Sequence, residues 1–494
     1  MNRQASVVRR ILKTGAVSML VLTLLCTIVA VKAQTPDNGA GSANIIAQNM
    51  HDTSEANVVA AYLDPDGTPA DSVGTTIARR SAKEFLATDA SVGSPWLGSM
   101  VLYSDQGLAS VANLLYDGGS TSKDGTCAAS YSGFAETSDK FYLPRVMVIH
   151  GNKVGQIAVQ NTDNTEATVW IRYYELGDAT PTATISDTIE VGGSRHYDLG
   201  TPGGKVPDLA ALGGGSDWSG SAVIEADDGK QIAAVYVNHW SGYCGAYVGM
   251  TAPSTTLVAP KVARRAVDDG GTLKWLEFAM IALQNPGDTT ATVDVAFYDR
   301  LTGTQDLLLD DLSIPGKQTA IIHLRLGQAV PPSALDPLDR DAGPDITWNG
   351  KVVATSDVPI FGVVAPIRRG ESASMYNMVD AAQGSGVLYM PSASRVRSGG
   401  KWQLYSRLAV ANLSSSEALV DFYFYGRDGN LDLSLLDWSI PGNGVENLLL
   451  KTVAGLSTDW LGSVYVESDQ DVLAIVDTLW NVNGRLSSYN AIND

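Results

Sequence analysis

Residues suited to acid–base or metal chemistry are few in this sequence and poorly grouped. The five histidines, His51, His150, His196, His239 and His323, are scattered, and none falls in an HExxH pattern or beside a GxSxG elbow. They read as ordinary surface or half-buried side chains. Walker loops, dinucleotide fingerprints, CxxC pairs and Cys/His clusters of zinc spacing are missing from the sequence. The densest carboxylate group is Asp336, Asp339, Asp341 and Asp345. Calcium takes six to eight oxygens, so these residues are a weak calcium candidate, but their spacing is not that of an EF-hand and prolines stiffen the loop. A solvated acidic loop is the competing reading, and no other metal or cofactor is implied. The sequence therefore points away from an enzyme.

Aromatic residues offer a different chemistry. Ten tryptophans and nineteen tyrosines invite a carbohydrate-binding reading, because sugars stack on exposed rings. The candidate platforms are Trp170, Trp240, Trp275, Trp402 and Trp480. Trp275 and Trp402 each stand ten residues before an asparagine, Asn285 and Asn412. Trp240 and Trp480 form a second pair. Trp170 alternates with tyrosines, so one of those rings must face outward. A residue repeated at one fold position is otherwise explained by packing.

Positioning of these side chains rests on an internal repeat. Trp-x-Gly-(Ser/Lys) occurs at Trp96–Ser99, Trp218–Ser221, Trp348–Lys351 and Trp460–Ser463. Two apolar-alternating stretches follow each occurrence, hinged at a polar turn, which is a hairpin signature. Upstream lies an apolar stretch ending in Asn49, Asn161, Asn285 or Asn412, then a turn, then an Ala-x-Val alternation. Asparagine suits a strand end because its side chain closes an Asx-turn. Gly67, Gly177, Gly303 and Gly429 align across the copies as tight turns between strands. Tyr131, Tyr247, Tyr376 and Tyr489 close the units, and new strands begin around Pro144, Pro260 and Pro391. Helical turns are confined to the neighbourhoods of Pro207–Leu212 and Leu335–Leu338.

Short strands at this spacing predict an all-β chain of four tandem antiparallel β-sandwich (Ig-like) domains behind an N-terminal signal peptide. The expected boundaries are 1–33 for the signal peptide and 44–137, 138–254, 255–384 and 385–494 for the repeats. The first repeat is expected to lack its opening strand, because the residues 17 before Asn49 fall inside the leader. Its sheet edge is then either open to self-association by strand addition or covered by its own loops.

Arg9, Arg10 and Lys13 precede an apolar run from Ala16 to Val31, and Val31-Lys32-Ala33 offers a cleavage site. The run is shorter than the roughly 20 residues that span a bilayer. An uncleaved anchor is the alternative. Later segments are too short or too polar to cross a membrane. The formal charge is −19, from 34 basic and 53 acidic residues, a field that repels nucleic acid. Two cysteines, Cys127 and Cys244, remain after cleavage, and an oxidising compartment permits a disulfide. Equivalent points in a linear array lie about a domain length apart, so a bridge requires the first two copies to pack side by side.

The order of asparagine turn, Ala-x-Val aromatic strand, Pro-Gly turn and Gly-Ser-x-Val strand resembles tandem β-sandwich units of secreted bacterial surface proteins. More loosely, it is similar to the small sandwich of the sensory rhodopsin transducer family. That resemblance implies a fold and carries no functional residues. The expected role is a non-enzymatic exported protein of the cell surface or extracellular matrix, structural or adhesive. Its expected partners are envelope or matrix components, possible glycans among them. A carbohydrate-binding protein is the alternative.

Overall fold

The computed structural model describes residues 21–28, 41–92, 96–116, 127–134, 136–148, 154–215, 217–240, 243–339, 345–368, 372–480 and 485–493, with the backbone alone for 21–28. The chain is all-β, and its strands pair antiparallel. Among the described residues, no helix is long and apolar enough to cross a membrane. The two short helical expectations are met by Leu209–Leu212 and Pro332–Leu338.

The first copy contains β1 (Val21–Ile28), β2 (Gly41–Asn49), β3 (Ala56–Leu63), β4 (Pro69–Ile77), β5 (Ala82–Leu86), β6 (Gly98–Ser104), β7 (Leu108–Tyr116) and β8 (Cys127–Ser132). They form two sheets ordered β1-β6-β3-β4 and β5-β2-β7-β8. The second copy repeats this with β9 (Lys140–Val148), β10 (Val154–Asn161), β11 (Ala167–Glu175), β12 (Pro181–Ile189), β13 (Ser194–Asp198), β14 (Trp218–Ala226), β15 (Ile232–Trp240) and β16 (Tyr243–Val248). Its sheets run β12-β11-β14-β9 and β13-β10-β15-β16, the same order strand for strand.

In the third copy, β17 (Ser254–Asp268), β18 (Leu273–Gln284), β19 (Ala291–Asp299), β20 (Gln305–Ile314), β21 (Thr319–His323) and β22 (Gly327–Gln328) lead to β23 (Ile346–Arg368). That strand is long enough to pair in both layers, so the two sheets become one continuous sheet. Short strands β24 (Ser372–Ala373), β25 (Tyr376–Asn377) and β26 (Val379–Asp380) complete it. The fourth copy is built alike from β27 (Ser385–Ser398), β28 (Lys401–Asn412), β29 (Ala418–Gly426), β30 (Leu431–Ile440), β31 (Val445–Leu449), β32 (Asp459–Trp480), β33 (Arg485–Asn490) and β34 (Ile492–Asn493).

The recurring residues explain the recurring pairing. Asn49, Asn161, Asn285 and Asn412 are fully buried. Each side-chain oxygen accepts the amide two residues on, at 2.9–3.0 Å, closing an Asx-turn. Each side-chain amide donates to the turn and to the end of a later strand, as Asn161 does to Thr165 O at 2.8 Å and, on the facing sheet, to Ile189 O at 2.9 Å. The marker tryptophans are buried against an aromatic of the neighbouring strand: Tyr62, Tyr173, Phe297 and Phe424. Three of them donate Nε1–H to aspartates, Trp96 to Asp64, Trp348 to Asp306 and Trp460 to Asp432, at 2.8–3.0 Å. The following glycine leaves room for this crossing. A Cβ on Gly462 would overlap the Tyr425 carbonyl oxygen and the Trp460 ring.

Opening strands β9, β17 and β27 each carry a two-against-one bulge. Pro144-Arg145, Pro260-Lys261 and Pro391-Ser392 lie opposite Ser221, Lys351 and Ser463. Proline cannot donate to a ladder, so a bulge is where a paired strand tolerates it.

In the full chain β1, drawn from the segment read as a leader, pairs with β6 where β9 pairs with β14, so copy one has an opening strand while residues 21–28 are present. The copies pack side by side. Strand β1 packs on β10 of the second copy, β9 on β18 and β23 of the third, β17 on β28 and β32 of the fourth, and β27 on β2 and β7 of the first. Each contact is head-to-tail, and the fourth returns to the first, which closes a ring. The apolar cores cross the joints accordingly: Phe361 and Val363 cluster with copies one and two, Ala409 and Ile475 with copy three, and Ile46 and Val111 with copy four.

Candidate functional site

Ring closure brings the closing strands β8, β16, β24/β25 and β33 together, each against the next. Cys127 and Cys244 are bridged there, with Cα atoms 5.5 Å apart. This is the side-by-side arrangement that a disulfide requires. Hydrogen bonds continue the circuit: Ser132 Oγ donates to Asn490 O at 2.7 Å, Asn377 Nδ2 to Val248 O at 2.9 Å, and Ser374 and Ser488 share one at 2.7 Å.

The closing tyrosines act as clamps on the bulges. Tyr247 donates to Arg145 O at 2.8 Å and accepts from Arg145 N at 3.1 Å. Tyr489 does the same with Ser392, at 2.7 and 3.1 Å. Tyr376 donates to Lys261 O. Burial pushes all three phenols above the usual tyrosine range, so they stay protonated and able to donate.

Between copies three and four lies a buried ionic cluster. Lys261 Nζ is 2.8 Å from Glu277 Oε1 and 3.2 Å from Asp477 Oδ2. Arg407 reaches Glu277 at 3.4 Å and also pairs with Asp477, whose other oxygen accepts from Ser488 Oγ at 2.6 Å. Burial alone would raise both carboxyls. Lys261 and Arg407 beside them outweigh it, holding Asp477 at about 2 and Glu277 below the carboxylate range. Lys351, which stands where two other copies have serine at the bulge, is buried in the same joint. It donates to Asn412 O at 2.6 Å, and burial pulls its ammonium down to about 8.

Two other joints hold clefts of about 210 Å³ each. The cleft between copies two and three is cationic, with Lys140, Arg172 and Lys317 around Tyr142 and Tyr174. Its charges are engaged, since Arg172 meets Glu225 at 2.5 Å and Lys317 meets Asp288 at 2.6 Å. The cleft between copies four and one is lined by Asn44, Glu84, Asn113, Ser392, Arg427 and Trp480 among others. Arg427 pairs with Glu84 across it at 2.8 Å.

The candidate residues from the sequence fare differently. Trp480 is half-buried and lines the cleft between copies four and one. Trp275 and Trp402 are half-buried, and each is covered by a guanidinium, Arg264 at 5.0 Å and Arg395 at 5.2 Å. Trp170 is half-buried on β11, and the side chain of Trp240 lies outside the described residues. The acidic loop is dispersed. Asp339 is held by Arg264 at 2.6 and 2.9 Å, Asp345 accepts the amide of Asp268 at 2.8 Å, and Asp336 is exposed. Asp341 lies outside the described residues. Among those described, no group of three or more His, Cys, Asp or Glu is placed to hold a metal ion.

His196 shuts both ring nitrogens away from solvent, and burial followed by the neighbouring Arg195 lowers it to about 4. His323 stacks on Phe278 at 5.2 Å. The side chains of His150 and His239 fall outside the described residues, and His51 accepts the amides of Thr53 and Ser54 as a local turn cap. Sequence reasoning missed Lys261, Glu277, Arg407 and Asp477, which carry no local pattern because they lie on four separate strands.

Comparison of the sequence with protein families and with curated proteins finds no match. Among solved structures, the chain is similar to the crystal structure of protein 1070 of Thermotoga maritima, at 14% identity and a TM-score of 0.19, over 23% of this chain and 95% of that one. No part of the functional reading rests on that likeness.

Proposed function

We propose that this chain is an exported, non-enzymatic protein of the cell surface or extracellular matrix. It would serve as a structural or adhesive scaffold of four β-sandwich units behind a cleaved leader. The observation that supports this is what the buried polar groups do. The disulfide and the Lys261–Glu277–Arg407–Asp477 cluster join one unit to the next, and the phenol clamps fasten the closing strand to the opening strand within a unit. Chemistry of that kind produces a stiff presenter of loops and outer hairpins, and the bridge suits an oxidising compartment. Cell fractionation with thiol labelling tests the reading. Protein recovered outside the cytoplasm with both cysteines blocked is expected, and cytoplasmic protein with free thiols would refute it.

A second reading, carbohydrate binding, is favoured by one position. Trp480 presents a ring in a cleft that also offers Asn44, Asn113, Glu84 and Arg427, the mixture of stacking face and planar hydrogen-bonding groups that sugars use. Glycan-array binding that disappears in Trp480→Ala, with the fold intact by circular dichroism, would support it. An array with no signal above background would remove it.

A further inference from the structure

The opening strand of the first unit is made from the segment that the sequence reads as a leader. Strand β1 pairs with β6 from Val21↔Ser104 to Ile28↔Gly98. In the other units, the residue opposite the marker glycine is Val146, Val262 or Ala393. These stand 15, 23 and 19 residues before their asparagines, and Ile28 stands 21 before Asn49. The position is therefore a standard one in the repeat, and β1 also makes the joint to β10 of the second unit. With β1 in place, Gly98 through Leu102 of β6 are all buried.

Residues 21–28 nevertheless fit this place imperfectly. The other three occupants carry Pro-X opposite the residue after the marker glycine. Segment 21–28 has no proline, and its irregularity falls between Thr23 and Leu25 instead. If export removes residues 1–33, the edge of β6 loses the ladder partner it has in the full chain, and an unpaired strand edge is a template for another strand.

We propose that the β6 edge of the first unit is a strand-accepting site. In the exported chain its occupant is an extended apolar segment of another polypeptide, carrying a Pro-X bulge opposite Ser99. This rests on the export reading, so the test first separates the two. Intact mass of the protein recovered outside the cell fixes its N-terminus. If it begins after Ala33, hydrogen exchange is followed at the edge-facing amides of 98–104 and, as internal reference, of 218–226. Without additions, 98–104 should exchange at least 100-fold faster than the reference. A saturating synthetic peptide of residues 140–148, which contains Pro144, should slow them at least tenfold, and the same peptide N-methylated at alternate residues should not. Slow exchange without peptide, whether from the chain's own loops or from a second copy, overturns the proposal. So does exchange that the peptide leaves unchanged. If the mass shows residues 21–28 retained, the cleavage reading fails by itself. Exchange at 98–104 as slow as at 218–226 is then required of a strand-accepting edge, and fast exchange overturns it.

Discussion

Replacing Asp477 by alanine should unbalance the buried joint between copies three and four. In the native protein two cations, Lys261 and Arg407, face two carboxylates, Glu277 and Asp477, and all but Arg407 are less than 5% exposed at the side chain. Arg265 approaches Glu277 from the surface at 3.7 Å. Asp477→Ala leaves Lys261 and Arg407 sharing Glu277 and removes the acceptor of Ser488. Breaking a buried pair by removing one partner costs about 3–5 kcal/mol, mostly from the uncompensated charge left behind. Urea unfolding at pH 7 reads this as a fall in midpoint at unchanged slope. The double variant Lys261→Met/Asp477→Leu restores charge balance and should recover at least about 2 kcal/mol of the loss.

A pH series supplies an independent readout. The folded pKa of Asp477 is depressed to about 2 from an ordinary 3.8, so the unfolded chain takes up this proton first as pH falls. The stability it contributes is complete above about pH 5 and is lost toward pH 2, amounting to about 2 kcal/mol. Asp477→Ala should flatten that limb. A variant within about 1 kcal/mol of wild type with an unchanged acid limb would refute the assignment of this cluster as the joint.

Reducing the Cys127–Cys244 bridge, or replacing Cys244 by serine, opens a loop of 117 residues, for which chain entropy gives about 5 kcal/mol. Unfolding midpoints with and without reductant check it, and identical midpoints would deny the bridge. Gly462→Ala forces a methyl into the Tyr425 carbonyl and the Trp460 ring, and should destabilise by at least about 2 kcal/mol by thermal melting, whereas Gly399→Ala, at an open turn, should cost less. Asn412→Ala strips buried hydrogen bonds to Ser416 O, Ile440 O and Ser414 N, with an expected loss of about 2–4 kcal/mol in denaturant unfolding. His196 is lowered to about 4 by burial, so the unfolded chain protonates first below about 6.5. The His196→Phe variant should therefore lose less stability than wild type between pH 7 and pH 5 in the same assay.

What was legible in the sequence was local and repeated. Asn49, Asn161, Asn285 and Asn412 announce buried turns because an Asx-turn needs only its own backbone two residues on. Trp-x-Gly marks a crossing because a large ring needs a neighbour without a side chain. Four copies of these signals point to an all-β chain of one recurring unit before any coordinate is seen, whereas the strand order within that unit is read only from the structure. Tertiary structure decided the rest. The occupant of the first opening-strand position was hidden because an apolar run reads as a leader, and only the fold shows that residues 21–28 can pair with β6. Closure into a ring, the Cys127–Cys244 bridge and the Lys261–Glu277–Arg407–Asp477 cluster depend on how whole units dock. Docking is set by complementary surfaces drawn from distant segments, and such complementarity leaves no periodicity along the chain.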